Sequence, residues 1–224
     1  LIQDINSSFQ LIVDMEAEAL ELVIRSRPTI LEILENRGYN VDAYKGTSAE
    51  ALQKFATTDT NLLEIQAEHE NGTRMTVMYW VEGSRRLRLD SILTDLFMNH
   101  PKNYTSARDE FIILLSEPYH PAFDLQAAKQ WNLYKARVSF FQLKNLISNP
   151  AKHIFVPPHR KLAPAEISAV VFSLHMKSKS EFPQIKYHID MQARVLGLVP
   201  GDVVEIRRPS ETAGEYTTYR VCTI

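Results

Sequence analysis

Three groups of residues have types and spacings that could do chemistry. His153 and His159 flank Pro157-Pro158, with Glu166 beyond them, and imidazole with carboxylate is a donor set for zinc and related ions. Six residues apart across a rigid turn, the two histidines match no recognisable ligand spacing, so they are expected to bond backbone or to pack. Asp59 with Glu64-Ile65-Gln66 has the outline of a metal-dependent nuclease, in which paired carboxylates and a lysine hold a cation and polarise water. Glutamine stands where the lysine would be wanted, and the pattern reads better as solvent-facing polar positions on a half-buried strand. Arg85-Arg86-Leu87-Arg88 could meet nucleic-acid phosphate, although so short a basic run in an acidic region also suits the solvated start of a helix. No Gly-rich phosphate loop and no Gly-x-Ser-x-Gly elbow occurs, and 7 glycines leave little material for one. No catalytic, metal-binding or cofactor-binding residue is expected.

The most specified local structure lies near the C-terminal end. Val203, Val204 and Ile206 form a β-rich run, Pro209 to Gly214 supplies turn chemistry, and Tyr216 to Val221 resumes β-branched and aromatic residues. Pro209 is expected to end the donor ladder, Ser210 and Thr212 to bond local backbone, and Gly214 to take a positive φ. Arg207, Arg208, Arg220 and Glu211 on such a hairpin could form exposed cross-strand ion pairs of small worth. A hairpin with nothing behind it to serve points instead to an outward-facing assembly role, since a constrained turn docks at small entropic cost.

The elements that must carry these residues read as α/β. A chain of 224 residues, 45% hydrophobic, has room for one large domain or two small ones with a real core. Its net charge of −2 gives no basis for free-standing, sequence-independent nucleic-acid binding. Residues 151–224 hold ten Lys or Arg and seven Asp or Glu, leaving fifteen against twenty for residues 1–150. Cys222 is the single cysteine, which excludes an intrachain disulfide and a cysteine-built zinc site and fits a reducing compartment. No apolar run is long enough to cross a bilayer, and the first residues lack the pattern of a secretory signal, so no membrane association is expected. With Leu1 in first place, native residues are expected to precede it.

Apolar positions from Ile5 to Val23 recur at helical spacing and predict an amphipathic helix over 2–25, with room for a break near Val13. Pro28 is expected in the first turn of a second helix that Gly38 closes, and Ser48 to cap a third carrying Leu52 and Phe55. Leu62 to His69 and Met75 to Val81 alternate, and Asn71-Gly72 between them predicts a two-residue hairpin turn. Leu87 to Met98 and Leu125 to Tyr134 read as helices, Phe111 to Leu115 and Val138 to Leu143 as strands. Pro150 marks a boundary, giving expected domains 1–149 and 150–224. The second opens on the short run His153 to Val156. A helix from Pro164 to about Met176, an extended Phe182 to Ile185, a short helix capped by Asp190 and ended by Gly197, and the hairpin follow.

Taken in order, His153, Val156-Pro157, His159, Leu162, Glu166, Pro183, Ile185, Asp190, Ala193-Arg194, Gly197, Gly201, Val203-Val204, Ile206, Arg208 to Gly214, Tyr216 and Tyr219-Arg220 resemble one family. This is the family of the fifth common subunit of eukaryotic multi-subunit RNA polymerases and its archaeal counterpart. The likeness covers essentially all of residues 151–222, with about one inserted residue before Asp190. Upstream, Ile30 to Arg37-Gly38-Tyr39 looks like the opening helix and turn of the jaw domain that eukaryotic members carry and archaeal members lack.

The resemblance implies a non-catalytic subunit of a nuclear DNA-directed RNA polymerase, or of a cytoplasmic factory or virion if the lineage is viral. Its C-terminal domain would dock on the largest subunit through His159, Arg194, Arg208, Pro209, Ser210, Glu211, Thr212, Ala213, Gly214, Tyr216 and Arg220. Its N-terminal domain would form part of the lower jaw, with Arg85, Arg86, Arg88 and Pro121 towards downstream DNA. Departures from the family pattern are Met191 for a proline, His175 for an aromatic, and a loop at His120-Pro121-Ala122-Phe123 where Thr-Pro-Ser-Ala is usual. Residues 1–20 extend beyond the usual domain start. The rival from a different class is a standalone nuclease-like or nucleic-acid-binding domain.

Overall fold

The computed structural model describes the backbone of residues 2–58, 60–80, 89–98 and 104–224, and the side chains of 18–55, 62–80, 89–94 and 104–224. Asp59 and the run Arg85, Arg86 and Arg88 lie outside the described residues.

Helix α1 spans Ile2–Asn36 without the expected interruptions at Val13 and Pro28. Pro28 removes one N–H bond from the helix ladder, a loss that usually kinks or ends a helix. Here Leu22, Val23, Ile30, Ile33 and Leu34 are buried in one cluster on both sides of the proline, so tertiary packing holds the helix through it. Gly38 closes α1 as expected: its N–H donates to Glu35 O at 2.9 Å and that of Tyr39 to Leu34 O at 3.0 Å. Ser48 caps α2, Ala49–Thr58, through Ala51 N at 3.2 Å.

The first sheet has the order β1-β2-β3-β4. Strands β1 (Ile65–Glu68) and β2 (Arg74–Trp80) pair antiparallel, while β2 with β3 (Asp109–Leu115) and β3 with β4 (Arg137–Gln142) pair parallel. At the edge, β1 buries Ile65 and Ala67 and exposes Gln66 and Glu68, the half-buried polar strand expected there. The turn after it is longer than expected: Glu68 pairs with Arg74, and Asn71 Oδ1 accepts from Thr73 N at 2.9 Å inside a longer loop.

Helices cover both faces of this sheet. Met75, Val77, Tyr79, Ile112, Leu114 and Phe141 pack with α1 and α2. Met78, Trp80, Phe111, Ile113, Leu115, Val138 and Phe140 pack with α3 (Leu89–Met98) and α4 (Pro121–Tyr134). Strand β2 is therefore buried on both faces, which its apparent alternation did not foretell. Residues His120 to Phe123 are likewise not a loop. Nδ1 of His120 accepts from Ala122 N at 3.1 Å as the cap of α4, Pro121 follows in the first turn, and Phe123 is fully buried against Phe140.

The second sheet has the order β5-β7-β8-β6, with β5 His159–Lys161, β6 Gln184–Lys186, β7 Val203–Ser210 and β8 Gly214–Thr223. The short run His153 to Val156 forms a turn, closed by Val156 N to His153 O at 2.8 Å. Helix α5, Pro164–Ser173, stops short of Met176 because His175 takes a left-handed φ of 54° and Met176 N turns back to Val171 O at 3.0 Å.

Helix α6, Met191–Leu196, sits between the two sheets. Asp190 caps it, accepting from Gln192 N at 2.8 Å and Ala193 N at 3.2 Å. Its last carbonyls are met from the end of α1: Arg37 Nε donates to Val195 O at 2.9 Å and Nη2 to Arg194 O. The Arg194 side chain points into the first sheet, donating from Nη1 to Phe140 O at 2.6 Å with its guanidinium 4.9 Å from the centre of the Tyr119 ring. Gln192 Nε2 reaches Pro150 O at 3.2 Å, and the Tyr187 hydroxyl reaches Val138 O at 3.4 Å. Gly197 is required twice over: its φ is 63°, and a Cβ there would lie 3.0 Å from Arg37 Cζ.

Replacing Arg37 by Met removes both guanidinium bonds to the Val195 and Arg194 carbonyls across this junction, leaving only the turn at Gly197 to close α6. The expected loss is about 2 kcal/mol, the scale of hydrogen bonds from a charged donor. Urea titration of the variant checks it, and an unchanged midpoint would refute the role.

Candidate subunit interface

Strands β7 and β8 pair from Val203 with Val221 to Ser210 with Gly214, leaving a loop of Glu211, Thr212 and Ala213. The strand thus runs through Pro209 and Ser210, which were expected to belong to the turn. Val221 N donates to Pro183 O and Arg207 N to Pro158 O, so odd-numbered N–H groups of both strands point away from the other strand of the hairpin. Pro209 belongs to that set. Its missing N–H faces the outer edge and removes nothing from the pairing, which is the position a strand proline tolerates.

The loop is held by short-range bonds of the expected kind. Ser210 Oγ accepts from Ala213 N at 3.2 Å and lies 3.4 Å from Thr212 Oγ1, and Glu215 N donates to Ala213 O at 2.8 Å. Gly214 takes φ 73° with open space where a Cβ would stand, so backbone conformation alone selects glycine there.

Alternation sorts the expected interface residues by face. Val203, Glu205, Arg207 and Pro209 share the face that packs under α5, whereas Val204, Ile206, Arg208 and Ser210 share the face of α6. Tyr216 and Arg220 fall on the second face, as does His159, which pairs with Ile206. Five of the expected residues, His159, Arg208, Ser210, Tyr216 and Arg220, are therefore gathered on one side. Arg194 is not among them. It is 8% exposed and engaged with Phe140 O and two aromatic rings, which places it at the junction within the chain.

His159 and the acids near it are held locally. Nδ1 of His159 donates to Pro157 O at 2.6 Å, His153 Nδ1 accepts from Phe155 N at 3.3 Å, and Glu166 Oε2 accepts from Ala163 N at 2.7 Å. Burial lowers the His159 pKa, and nearby Arg208 and Arg220 act in the same direction, against Pro157 O and Asp190. Among the described residues no group of three His, Cys, Asp or Glu side chains could hold a metal ion. Burial pushes the Cys222 thiol up to about 12, leaving it a poor nucleophile.

On the opposite face is a charge network that the sequence reading missed. Arg160 bonds Glu166 at 2.8 Å and Glu205 at 3.2 Å, and Arg207 bonds Glu205 at 2.9 Å. The signal is the pairing of Arg160 with Glu205 across β5 and β7, which three residues, 159–161, are too short a strand to announce in the sequence. Burial raises the Glu205 pKa, but the bonds from Arg160 and Arg207 outweigh it and the net shift is downward.

The model of the RNA polymerase Rpb5 C-terminal domain matches residues 148–222, the span of the second sheet. The DNA-directed RNA polymerase subunit Rpo5 of Pyrococcus abyssi is 42% identical over 73 residues, 33% of this chain and 87% of that protein. The chain belongs to the Rpb5 family of RNA polymerase subunits. The first sheet shares in the relationship: the Dictyostelium discoideum subunit rpabc1 of DNA-directed RNA polymerases I, II and III is 28% identical over 208 residues, 92% of this chain and 99% of that protein. Subunit 5B of polymerases IV and V from Arabidopsis thaliana is 24% identical over 202 residues, 87% of each chain. An Rpb5-type chain thus carries the hairpin, and the Pyrococcus match leaves no room in that protein for a counterpart of the first sheet.

Glu205 makes this sheet acid-sensitive. With its folded pKa below the ordinary glutamate value of 4.5, its contribution is complete above that value and is lost as pH falls through the folded pKa. Glu205→Gln is expected to lower the melting temperature at neutral pH and to flatten its fall below about pH 4.5. Calorimetry across pH 3 to 7 tests this, and parallel curves for the two proteins would count against it.

Proposed function

We propose that this chain is a non-catalytic structural subunit of a nuclear, multi-subunit DNA-directed RNA polymerase, docking on the largest subunit through the end of its second sheet. The observation that carries the reading is the hairpin itself. Its tip projects beyond both neighbouring strands, is fixed by its own hydrogen bonds, and presents Arg208, Tyr216 and the Glu211–Ala213 loop to solvent. Such a preformed element loses little entropy on docking. Family membership and the names of the relatives support a place among polymerase subunits. The variant carrying Glu211→Lys and Thr212→Arg is expected to remain folded but to be recovered poorly with the two largest polymerase subunits in an affinity pull-down. Normal recovery would sink the docking reading.

The same proposal divides the chain into a jaw domain over 1–149 and an assembly domain over 150–224. The Arg37→Met titration bears on it, since separate transitions of the two sheets support the division and one cooperative step counts against it. The jaw domain would lie beside downstream DNA, with Arg85, Arg86 and Arg88 and the exposed Pro121 towards it. Reversing those arginine charges is expected to reduce the salt dependence of DNA retention by the assembled polymerase. An unaltered salt slope would remove the arginines from the contact.

A further inference from the structure

The two edges of the terminal hairpin are built differently. On the β7 side, Arg207 N is taken by Pro158 O at 3.1 Å, and Pro209 has no N–H to offer. On the β8 side, β6 covers only Val221 to Thr223, with Val221 N bonded to Pro183 O at 2.9 Å. Thr217 and Tyr219 have the same parity as Val221, so their N–H and C=O groups point outward beyond the end of β6. Among the described residues neither has a backbone partner on that side. Exposed edges are ordinarily blunted by proline, lysine or a bulge. This one carries Tyr216, Thr217, Thr218 and Tyr219, an uncharged run of strand-favouring residues.

The charge beside this edge points to the kind of chain it fits. Arg208, Arg220 and His159 stand on one face, and both arginines lie close enough to His159 to act on its charge. Arg208 has no carboxylate partner among the described residues, and Arg220 donates to Gln184 O at 2.9 Å. The nearby Asp190 is engaged as the cap of α6. The face is therefore cationic. A strand laid along β8 would send every second side chain to that face, towards Tyr216, Thr218 and Arg220.

We propose that the open edge of β8 at Thr217 and Tyr219 receives, as an added strand, an extended segment of the subunit on which the hairpin docks, with carboxylates at alternate positions facing Arg208 and Arg220. This rests on the docking reading above and deepens it: main-chain bonds supply affinity, and the arginines select the acidic face. The mode leaves a signature that docking through side chains alone does not. In the free full-length chain the outward amides of Thr217 and Tyr219 exchange with solvent, while the inward amides of Thr218 and Arg220 are protected by β7.

Hydrogen exchange resolved by residue, on the free chain and on the chain in the assembled polymerase, is the test. Slowing of Thr217 and Tyr219 by roughly tenfold or more on assembly is expected. Arg208→Glu with Arg220→Glu should also reduce incorporation, and the matching lysine variant should largely restore it. If the tip variant fails to assemble yet Thr217 and Tyr219 in the wild-type complex exchange at free-chain rates, docking stands and strand addition is overturned. If the tip variant assembles normally, the docking reading fails first and this inference fails with it.

Discussion

The junction between the two sheets depends on how one short helix is terminated. A helix as short as α6 has almost no internal stability, and its end carbonyls lie in the interior, where an unmet polar group is costly. Arg37 meets them from the end of α1, and Arg194 reaches from α6 into the opposite sheet, so two guanidinium groups tie the halves in both directions. Buried backbone carbonyls, not carboxylates, accept these bonds. That arrangement avoids burying an ion pair, whose desolvation can exceed its attraction. Tyr187, Gln192 and Trp131 complete the seam, with the Trp131 and Tyr187 rings 5.8 Å apart.

Beyond that junction the hairpin can project because its base is anchored. Val204, Ile206 and Cys222 are buried with Ala193 and Leu198 on one face, and Val203 and Val221 with Leu162 and Phe182 on the other. From Arg207 onward the same two strands run past their neighbours and their side chains become polar or aromatic. One continuous ladder thus changes from core to exposed arm, and the transition falls where β5 and β6 stop.

Much of the fold was legible because short-range signals agreed with packing. Ser48, Asp190, Gly38 and Gly197 cap where their chemistry indicated, and the apolar run in β3 is a buried strand. What escaped was decided by tertiary context. Pro28 reads as a helix start until the buried residues on either side are known, and His120 does not belong to the usual caps because an imidazole rarely serves as one. Arg194 illustrates the limit for sites. Its place in the family pattern identified it as important, but only the fold distinguishes an arginine that holds the chain together from one that meets a partner. The interface residues of the hairpin were recognisable as a set, whereas their division between two faces required the strand register.

Register also governs where this chain can change length. Along β7 an extra residue would move every later side chain to the opposite face, exchanging Arg207 with Arg208 across the sheet. Beyond Lys186, the last paired residue of β6, Tyr187 N makes one more bond to β8, at Thr223 O, before the chain turns to the Asp190 cap. A change of length between Tyr187 and Asp190 would therefore fall in a connection and leave every strand in phase. Length variation there leaves the strand register intact, while within the arm it would rewrite the surface.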